Sequence, residues 1–321
     1  MSQVVQWGVL GFARIARNSV IPAIQRSHNG NVVALASRDP AKLAEASKEF
    51  VIPNTYTRYE DVLADSKVQA VYIPLPNSQH CGWAIKALEA GKHVLCEKPL
   101  ALNTAEARRM VDAAKASGRI LMEAFMYRYS DRTRQVEAVL KSGKLGEIRH
   151  INASFRFFLN RANTIKIQPE LGGGALYDVG CYPINLLGLV TGGLKPVACH
   201  AEASFENGVD NNLSAVLRYE NGIVATLHCG FNAHPFVRAE IIGTEGVLEI
   251  PDPFLDTAGE LTLRTASGVE RIAVAESNRY LEEVEDFSAA VLENRQPKFR
   301  LDESIRNMEV LDMIYASLPR P

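Results

Sequence analysis

The sequence predicts an α/β chain of two domains. Residues 1–122 read as a dinucleotide-binding domain on a mostly parallel sheet, and residues 123–321 as an α+β domain on an open-faced, largely antiparallel sheet. Three observations carry this. Strand-like and helix-like stretches alternate as far as Glu123 and then give way to runs of strands with short links. The first strand runs straight into a glycine turn that opens a helix. The length of 321 residues, with 47% hydrophobic and 22% charged, suffices for two cores. A net charge of −2 and the lack of a basic run argue against nucleic acid as a partner. No apolar run approaches the ~18 residues of a membrane span. Met1-Ser2-Gln3 enters a strand almost at once, which leads us to expect a cytoplasmic protein. Five cysteines sit in apolar stretches without Cys-x-x-Cys spacing and read as reduced core residues, and the seven scattered histidines suggest no metal site.

In order, Gln3 to Leu10 is the first strand, and Gly11-Phe12-Ala13-Arg14-Ile15-Ala16 occupies the place of Gly-x-Gly-x-x-Gly, where backbone N–H groups meet a pyrophosphate. Only Gly11 remains glycine; Ala13 and Ala16 still allow close approach but not free access to positive φ. The second strand, Asn31 to Ala36, ends in Ser37-Arg38-Asp39-Pro40, with Asp39 as N-cap and Pro40 at the first helical position. That strand end faces the adenosine ribose in such folds. Arg38 with Ser37, and Lys42 one turn on, suit a 2′-phosphate, so NADP is preferred and NAD remains possible.

Ala70 to Ile73 is a strand opening into Pro74-Leu75-Pro76, a rigid loop placed to pack on the nicotinamide side of a cofactor. Asn77 or Ser78 is expected to cap the helix that runs to Ala90, with Gly91 as its stop, and His80 stands in the first turn as either a hydrogen-bonding group or a base. The strand His93 to Cys96 delivers Glu97-Lys98-Pro99. In an open α/β sheet a lysine at a strand's carboxyl end is aimed at the ligand crevice, and Pro99 restricts its backbone. Asn103 or Thr104 caps a helix ending at Ser117-Gly118, and Ile120 to Ala124 is taken as the sixth strand, with the boundary near Glu123.

Beyond it, Ser130 to Ser142 is an amphipathic helix closed by Gly143. Ile148–Phe158, Val197–Phe205, Leu213–Tyr219, Ile223–Phe231, Val237–Ile242 and Val247–Ile250 read as strands, with tight turns at Asn221-Gly222 and Gly243 to Gly246. Such a sheet leaves one exposed face, a common surface for a homodimer. A helix opened by Gly172-Gly173-Gly174 interrupts it and places Asp178 and Tyr182 at i, i+4 on one side. Gly180 between them is expected to let a ring or sugar approach the backbone, and the glycines to leave the helix N–H groups bare. A helix over residues 301–318 closes the chain.

Taken together, Gly11 to Ala16, Pro76-Asn77 with His80, Ala90 to Ala101 around Glu97-Lys98-Pro99, Phe125-Met126-Tyr127-Arg128, Gly172 to Tyr182 and Gly243 to Gly246 resemble the glucose-fructose oxidoreductase, inositol dehydrogenase and rhizopine catabolism family, over nearly the whole chain. Within it the chain looks most like NADP-dependent dihydrodiol dehydrogenases and D-xylose 1-dehydrogenases. The resemblance implies a Rossmann domain, an open-faced α/β domain and a cleft between them. It implies that Lys98 binds the reacting oxygen and nicotinamide, Tyr182 is the general acid/base and Asp178 holds the substrate. Gly11, Phe12, Ala13, Arg14, Ile15, Ser37, Arg38, Lys42, Pro74, Leu75, Asn77, His80, Glu97, Lys98 and Arg128 are then candidates for the cofactor. Lys166 stands where relatives often carry arginine, and with Arg161 and Arg128 it is a candidate for polyhydroxylated or anionic ligands. The expected reaction is hydride transfer between a nicotinamide and a sugar hydroxyl, hemiacetal or trans-diol. The alternatives are reduction of a ketosugar or dicarbonyl, and a non-catalytic NADP-binding regulator.

Overall fold

The computed structural model describes residues 3–161 and 164–318. Met1 and Ser2, read above as leading into the first strand, and the last three residues lie outside that range. The alternating part comprises β1 (Val5–Leu10), α1 (Ile21–Arg26), β2 (Gly30–Ala36), α2 (Pro40–Glu49), β3 (Asn54–Tyr56), α3 (Tyr59–Ala64), β4 (Ala70–Ile73), α4 (Asn77–Glu89), β5 (His93–Glu97), α5 (Thr104–Ser117) and β6 (Leu121–Ala124). There follow α6 (Asp131–Ser142), β7 (Ile148–Phe158), α7 (Cys181–Val190), β8 (Pro196–Glu206), β9 (Val209–Tyr219), β10 (Val224–Gly230), β11 (Asn232–Gly243), β12 (Gly246–Pro251), β13 (Gly259–Thr265), β14 (Gly268–Val274), α8 (Arg279–Glu293) and α9 (Leu301–Ser317). Among the described residues no helix is long and apolar enough to cross a membrane.

The chain divides into two compact units. The first takes the residues through Met126 together with Arg279–Ser304, and the second takes Tyr127–Asn278 and the chain from Ile305. The division expected at 122/123 therefore falls inside β6, and the return of the chain to the first unit is new. Its physical cause is α8, whose apolar stripe Val284, Phe287 and Ala290 is buried. Phe287 meets the Trp7 ring at 5.0 Å, and the Trp7 indole donates to Ser288 Oγ at 3.3 Å.

The first unit holds a six-stranded sheet in the order β3-β2-β1-β4-β5-β6, with every neighbouring pair parallel. The order reverses beside β1, the switch point at which such sheets bind ligands beyond their carboxyl ends. Periodicity locates five of the six strands. β3 has three residues and too little pattern to declare itself. Local signals set the helix ends: Asp39 accepts from Ala41 N at 2.9 Å, Asn103 accepts from Glu106 N at 2.9 Å, and Gly118 adopts φ 62° at the C-cap of α5. Helix α4 departs from expectation. Neither Asn77 nor Ser78 caps it, because it starts at Asn77 with Pro76 at the N-cap position and no side-chain cap.

The second unit holds an eight-stranded sheet in the order β14-β13-β12-β11-β7-β10-β9-β8, antiparallel except where β10 runs parallel to β7. Leu213, Ala215, Leu217 and Tyr219 of β9 are buried, whereas Ser214, Val216 and Arg218 are not. The outward row His200, Val216, Thr226, Asn152 and Glu240 runs across five strands. Thr226 Oγ1 donates to Asn152 Oδ1 at 2.5 Å along it. The strand pattern missed β13 and β14; β14 is an edge strand exposed along most of its length, so little alternation marks it.

Candidate active site

At the carboxyl end of β1, Gly11 adopts φ +108°, a conformation that side-chain-bearing residues rarely take. Of the following residues, Phe12 is 6% exposed and packs edge-on against Phe50, Ala13 and Ile15 are half-buried, and Arg14 is exposed. At the end of β2, Ser37 is buried, with its Oγ accepting from Asp39 N at 3.2 Å. Arg38 is exposed but fixed: its guanidinium lies 5.0 Å from the Tyr59 ring centroid and donates to Gln79 Oε1 at 2.8 Å. A planar, stacked cation with Lys42 exposed one turn on is a donor set that fits a ribose phosphate. These residues are suited to hold a nicotinamide dinucleotide, through the Gly11 turn and the Arg38 side chain.

Three further candidates for that cofactor are buried and hydrogen-bonded within the chain. His80 is 0% exposed, with Nδ1 2.9 Å from Pro99 O and Nε2 2.8 Å from Leu75 O, so its ring ties two loops together. Burial, together with the charge of Lys98, lowers its proton affinity. Glu97 is 8% exposed and accepts from Tyr72 Oη at 2.5 Å. Arg128 belongs to the second unit, is 5% exposed, and donates to Asn185 Oδ1 at 3.3 Å, 4.0 Å from Glu137. Pro74 and Leu75 are buried, and Asn77 is half-buried.

Lys98 follows β5 in a cis Lys98–Pro99 bond and is half-buried. The turn is held from both sides, by the His80 ring at Pro99 O and by the Glu123 carboxyl, whose Oε1 accepts from Leu100 N at 2.8 Å.

In the second unit a π-helical turn, Leu176–Gly180, leads into α7 and carries Asp178 and then Tyr182. Tyr182 is 8% exposed in an aromatic cage, with ring centroids at 5.9 Å (Tyr127), 5.3 Å (Phe155) and 5.4 Å (Phe254). Asp178 forms an ion pair with Lys166, whose ammonium stands 5.4 Å from the Phe157 ring and 5.9 Å from the Phe231 ring. Arg161 is exposed.

Two expectations for this segment are corrected. A Cβ on Gly180 would meet Leu176 Cδ1 at 2.7 Å and Cys229 Sγ at 3.0 Å, so the glycine makes room for the protein's own β10 and not for a ligand. The N–H groups after the triple glycine are not left bare, because Leu176 N donates to Asp210 Oδ2 at 2.7 Å. Asp210 also accepts from Tyr315 Oη at 2.9 Å, and burial raises its pKa to about 6. Sequence reading missed Asp210 and also Asn185, three residues after Tyr182, which accepts from Tyr127 Oη at 2.6 Å. An amide within the otherwise apolar run of α7 was the available signal for Asn185; β9 offers none for Asp210.

The comparisons with known proteins agree with this layout. Residues 5–125 match an oxidoreductase family with an NAD-binding Rossmann fold, and residues 133–249 match the GFO/IDH/MocA C-terminal domain. The chain is 37% identical over 317 residues to D-xylose 1-dehydrogenase (NADP(+)) 2 of Haloferax volcanii, covering 98% of this chain and 97% of that one.

This chain belongs to the Gfo/Idh/MocA oxidoreductase family.

Trans-1,2-dihydrobenzene-1,2-diol dehydrogenase of Bos taurus is 32% identical over 78% of this chain and 75% of its own length. Among solved structures, a 3-ketoreductase from Actinomadura kijaniata in complex with NADP and TDP-benzene superposes with a TM-score of 0.92 at 30% identity, covering 98% of each chain. Family membership makes the chain an oxidoreductase built on a nicotinamide-binding Rossmann domain.

Proposed function

We propose that this protein is an NADP-preferring dehydrogenase that oxidises a sugar hydroxyl, a hemiacetal or a trans-diol. The observation that carries the reading is the joint presence of Lys98 at the carboxyl end of β5 and of Asp178 and Tyr182 on one helical segment, in a chain 37% identical to an NADP-dependent xylose dehydrogenase. A bound nicotinamide supplies the hydride acceptor, or in the reverse direction the donor. Loss of hydride from a carbinol carbon requires loss of the hydroxyl proton. Tyr182 takes that proton, Lys98 stabilises the negative charge growing on the oxygen, and Asp178 orients a neighbouring hydroxyl. An ordinary phenol ionises near ~10, so a cation serving the same oxygen is needed to make it a base at neutral pH. Arg38 selects NADP. The test is a panel of aldoses, polyols and trans-diols with NADP and with NAD, followed by the absorbance of the reduced cofactor. Absence of substrate-dependent reduction across the panel would leave a cofactor-binding regulator as the better reading. Arg38→Ala should raise KM for NADP roughly 10-fold or more and leave KM for NAD nearly unchanged, since a charge-assisted pair is worth ~1.5–3 kcal/mol; an unchanged KM for NADP removes Arg38 from that role.

A second observation bears on direction. The Actinomadura relative is a ketoreductase, so the same residues run in reverse would have Tyr182 donate the proton to a ketosugar oxygen. Reduced cofactor with 3-ketosugars decides between the directions. The assembly is a cytoplasmic homodimer through the outer face of the eight-stranded sheet. That reading draws on the breadth of the outward row and on five cysteines of which none forms a disulfide. Light scattering on the native protein and on Val216→Arg is the check: a native monomer discards the dimer.

A further inference from the structure

The turn that carries Lys98 rests on a buried acid that the reaction does not use. Glu123 lies on β6, 1% exposed. The β5–β6 register sets Glu123 beside Cys96, two residues before Lys98, and the Lys98 charge acts on the Glu123 carboxyl. Glu123 Oε1 takes the Leu100 N–H at 2.8 Å, and the Ser304 hydroxyl beside the carboxyl favours its charged form. The charged and titratable groups around the carboxyl are Cys96 of β5, Lys98 just after it and Glu303 from the first turn of α9. Lys98 is the one cation in this set, and it also acts on His80, which holds the other side of the turn at Pro99 O.

We propose that Glu123 is a positioning residue for Lys98: its carboxylate fixes the Lys98-Pro99-Leu100 turn through the Leu100 amide and is the buried countercharge that keeps the lysine an ammonium. This rests on the catalytic reading of Lys98 given above. A bound oxidised nicotinamide ring is cationic and disfavours a second positive charge nearby, so an anion behind the lysine offsets that repulsion. Burial raises the pKa of Glu123 to about 7, with Lys98 acting to lower it. The countercharge therefore grows in as pH rises through neutrality, ahead of the range in which a lysine loses its proton.

The experiment compares wild type, Glu123→Gln, Glu123→Asp and Lys98→Ala. The glutamine keeps an acceptor for the Leu100 N–H and removes the charge. Its kcat/KM should match wild type within about 2-fold at pH 6, and the alkaline limb of its profile should move to lower pH by about half a unit or more. The aspartate, with the charge retained, should return the limb toward its wild-type position. Thermal midpoints give a second readout independent of turnover. A carboxyl whose pKa is raised on folding stabilises fully below its unfolded pKa and loses that stability as pH rises through its folded value. The midpoint of Glu123→Gln relative to wild type should therefore climb from about pH 4.5 and level off near pH 7. An alkaline limb that stays in place in Glu123→Gln while Lys98→Ala is inactive overturns the proposal and spares the lysine. Undiminished turnover in Lys98→Ala removes the catalytic reading itself. A midpoint difference that does not change with pH also overturns the proposal, because the carboxyl would then not be titrating where the countercharge is needed.

Discussion

The turn that carries Lys98 and the segment that carries Asp178 and Tyr182 are anchored by the same device, on a glutamate in one case and an aspartate in the other. Each has a buried carboxyl from a neighbouring strand that accepts a backbone N–H: Glu123 from Leu100 at 2.8 Å, and Asp210 from Leu176 at 2.7 Å. Asp210 has a second donor in Tyr315 Oη, and Glu123 has the Ser304 hydroxyl beside it, which favours its charged form. Burial drives both proton affinities up, and hydrogen bonds to the charged form pull them back. Asp210 reaches about 6 and Glu123 about 7. Most of that difference is the one between an ordinary aspartate and an ordinary glutamate, because burial lifts the two by similar amounts.

The largest effect that probes this contrast is chemical. Tyr182→Phe keeps the ring in its cage of Tyr127, Phe155 and Phe254 and should lower turnover by roughly 100-fold or more at neutral pH, with the melting temperature nearly unchanged. Near-normal turnover would transfer the proton to another group and break the equivalence of the two regions. Next in size is Phe254→Ala. Removing a ring that is 1% exposed and touches Tyr127, Phe155 and Tyr182 should cost about 3–5 kcal/mol in urea unfolding. A loss below about 1 kcal/mol would show that the tyrosine depends less on packing than its surroundings suggest.

Gly174→Ala tests the room that Asp210 requires. Its φ is +122°, and a Cβ there would meet Asp210 Oδ1 at 2.3 Å, so destabilisation of about 2 kcal/mol or more is expected. Wild-type stability in the alanine variant would mean that the anchor can shift freely. The smallest effect is titrimetric. Asp210→Asn removes a carboxyl whose pKa rises from 3.8 to about 6 on folding, so its stabilisation is present below about pH 4 and lost as pH rises toward 6. The midpoint of the asparagine variant relative to wild type should rise over that window and be flat above it, about a unit lower than the window expected for Glu123→Gln. Coincident windows would refute the ordering of the two anchors.

Much of the fold was legible because its signals are local. Asp39 and Pro40 start α2, Asn103 caps α5, and Gly118 and Gly143 end their helices, all as expected from a few neighbouring residues. The apolar run His93 to Cys96 placed Lys98 at a strand's carboxyl end, and Asp178 and Tyr182 lie on one continuous helical segment, Asp178 in its π-helical turn. What stayed hidden is nonlocal. The hydrogen-bond partners of His80, Glu97 and Arg128 include Pro99, Tyr72 and Asn185, 19 to 57 positions away. The return of α8 to the first unit depends on Trp7 meeting Phe287 and Ser288, a partnership about 280 positions apart that no window can register.

The sequence by itself determined the α/β class, the glycine turn after the first strand and the position of Lys98 at the end of a strand, because side-chain period, capping and motif spacing act over a few residues. Only the tertiary structure decided that Gly180 serves packing, that Asp210 caps the tyrosine segment and that Glu123 stands beneath the lysine turn. The reason is dielectric as much as geometric. A carboxyl's charge state and its hydrogen-bond donors are fixed by how completely distant strands and helices close around it, and that closure is written in no single stretch of the chain.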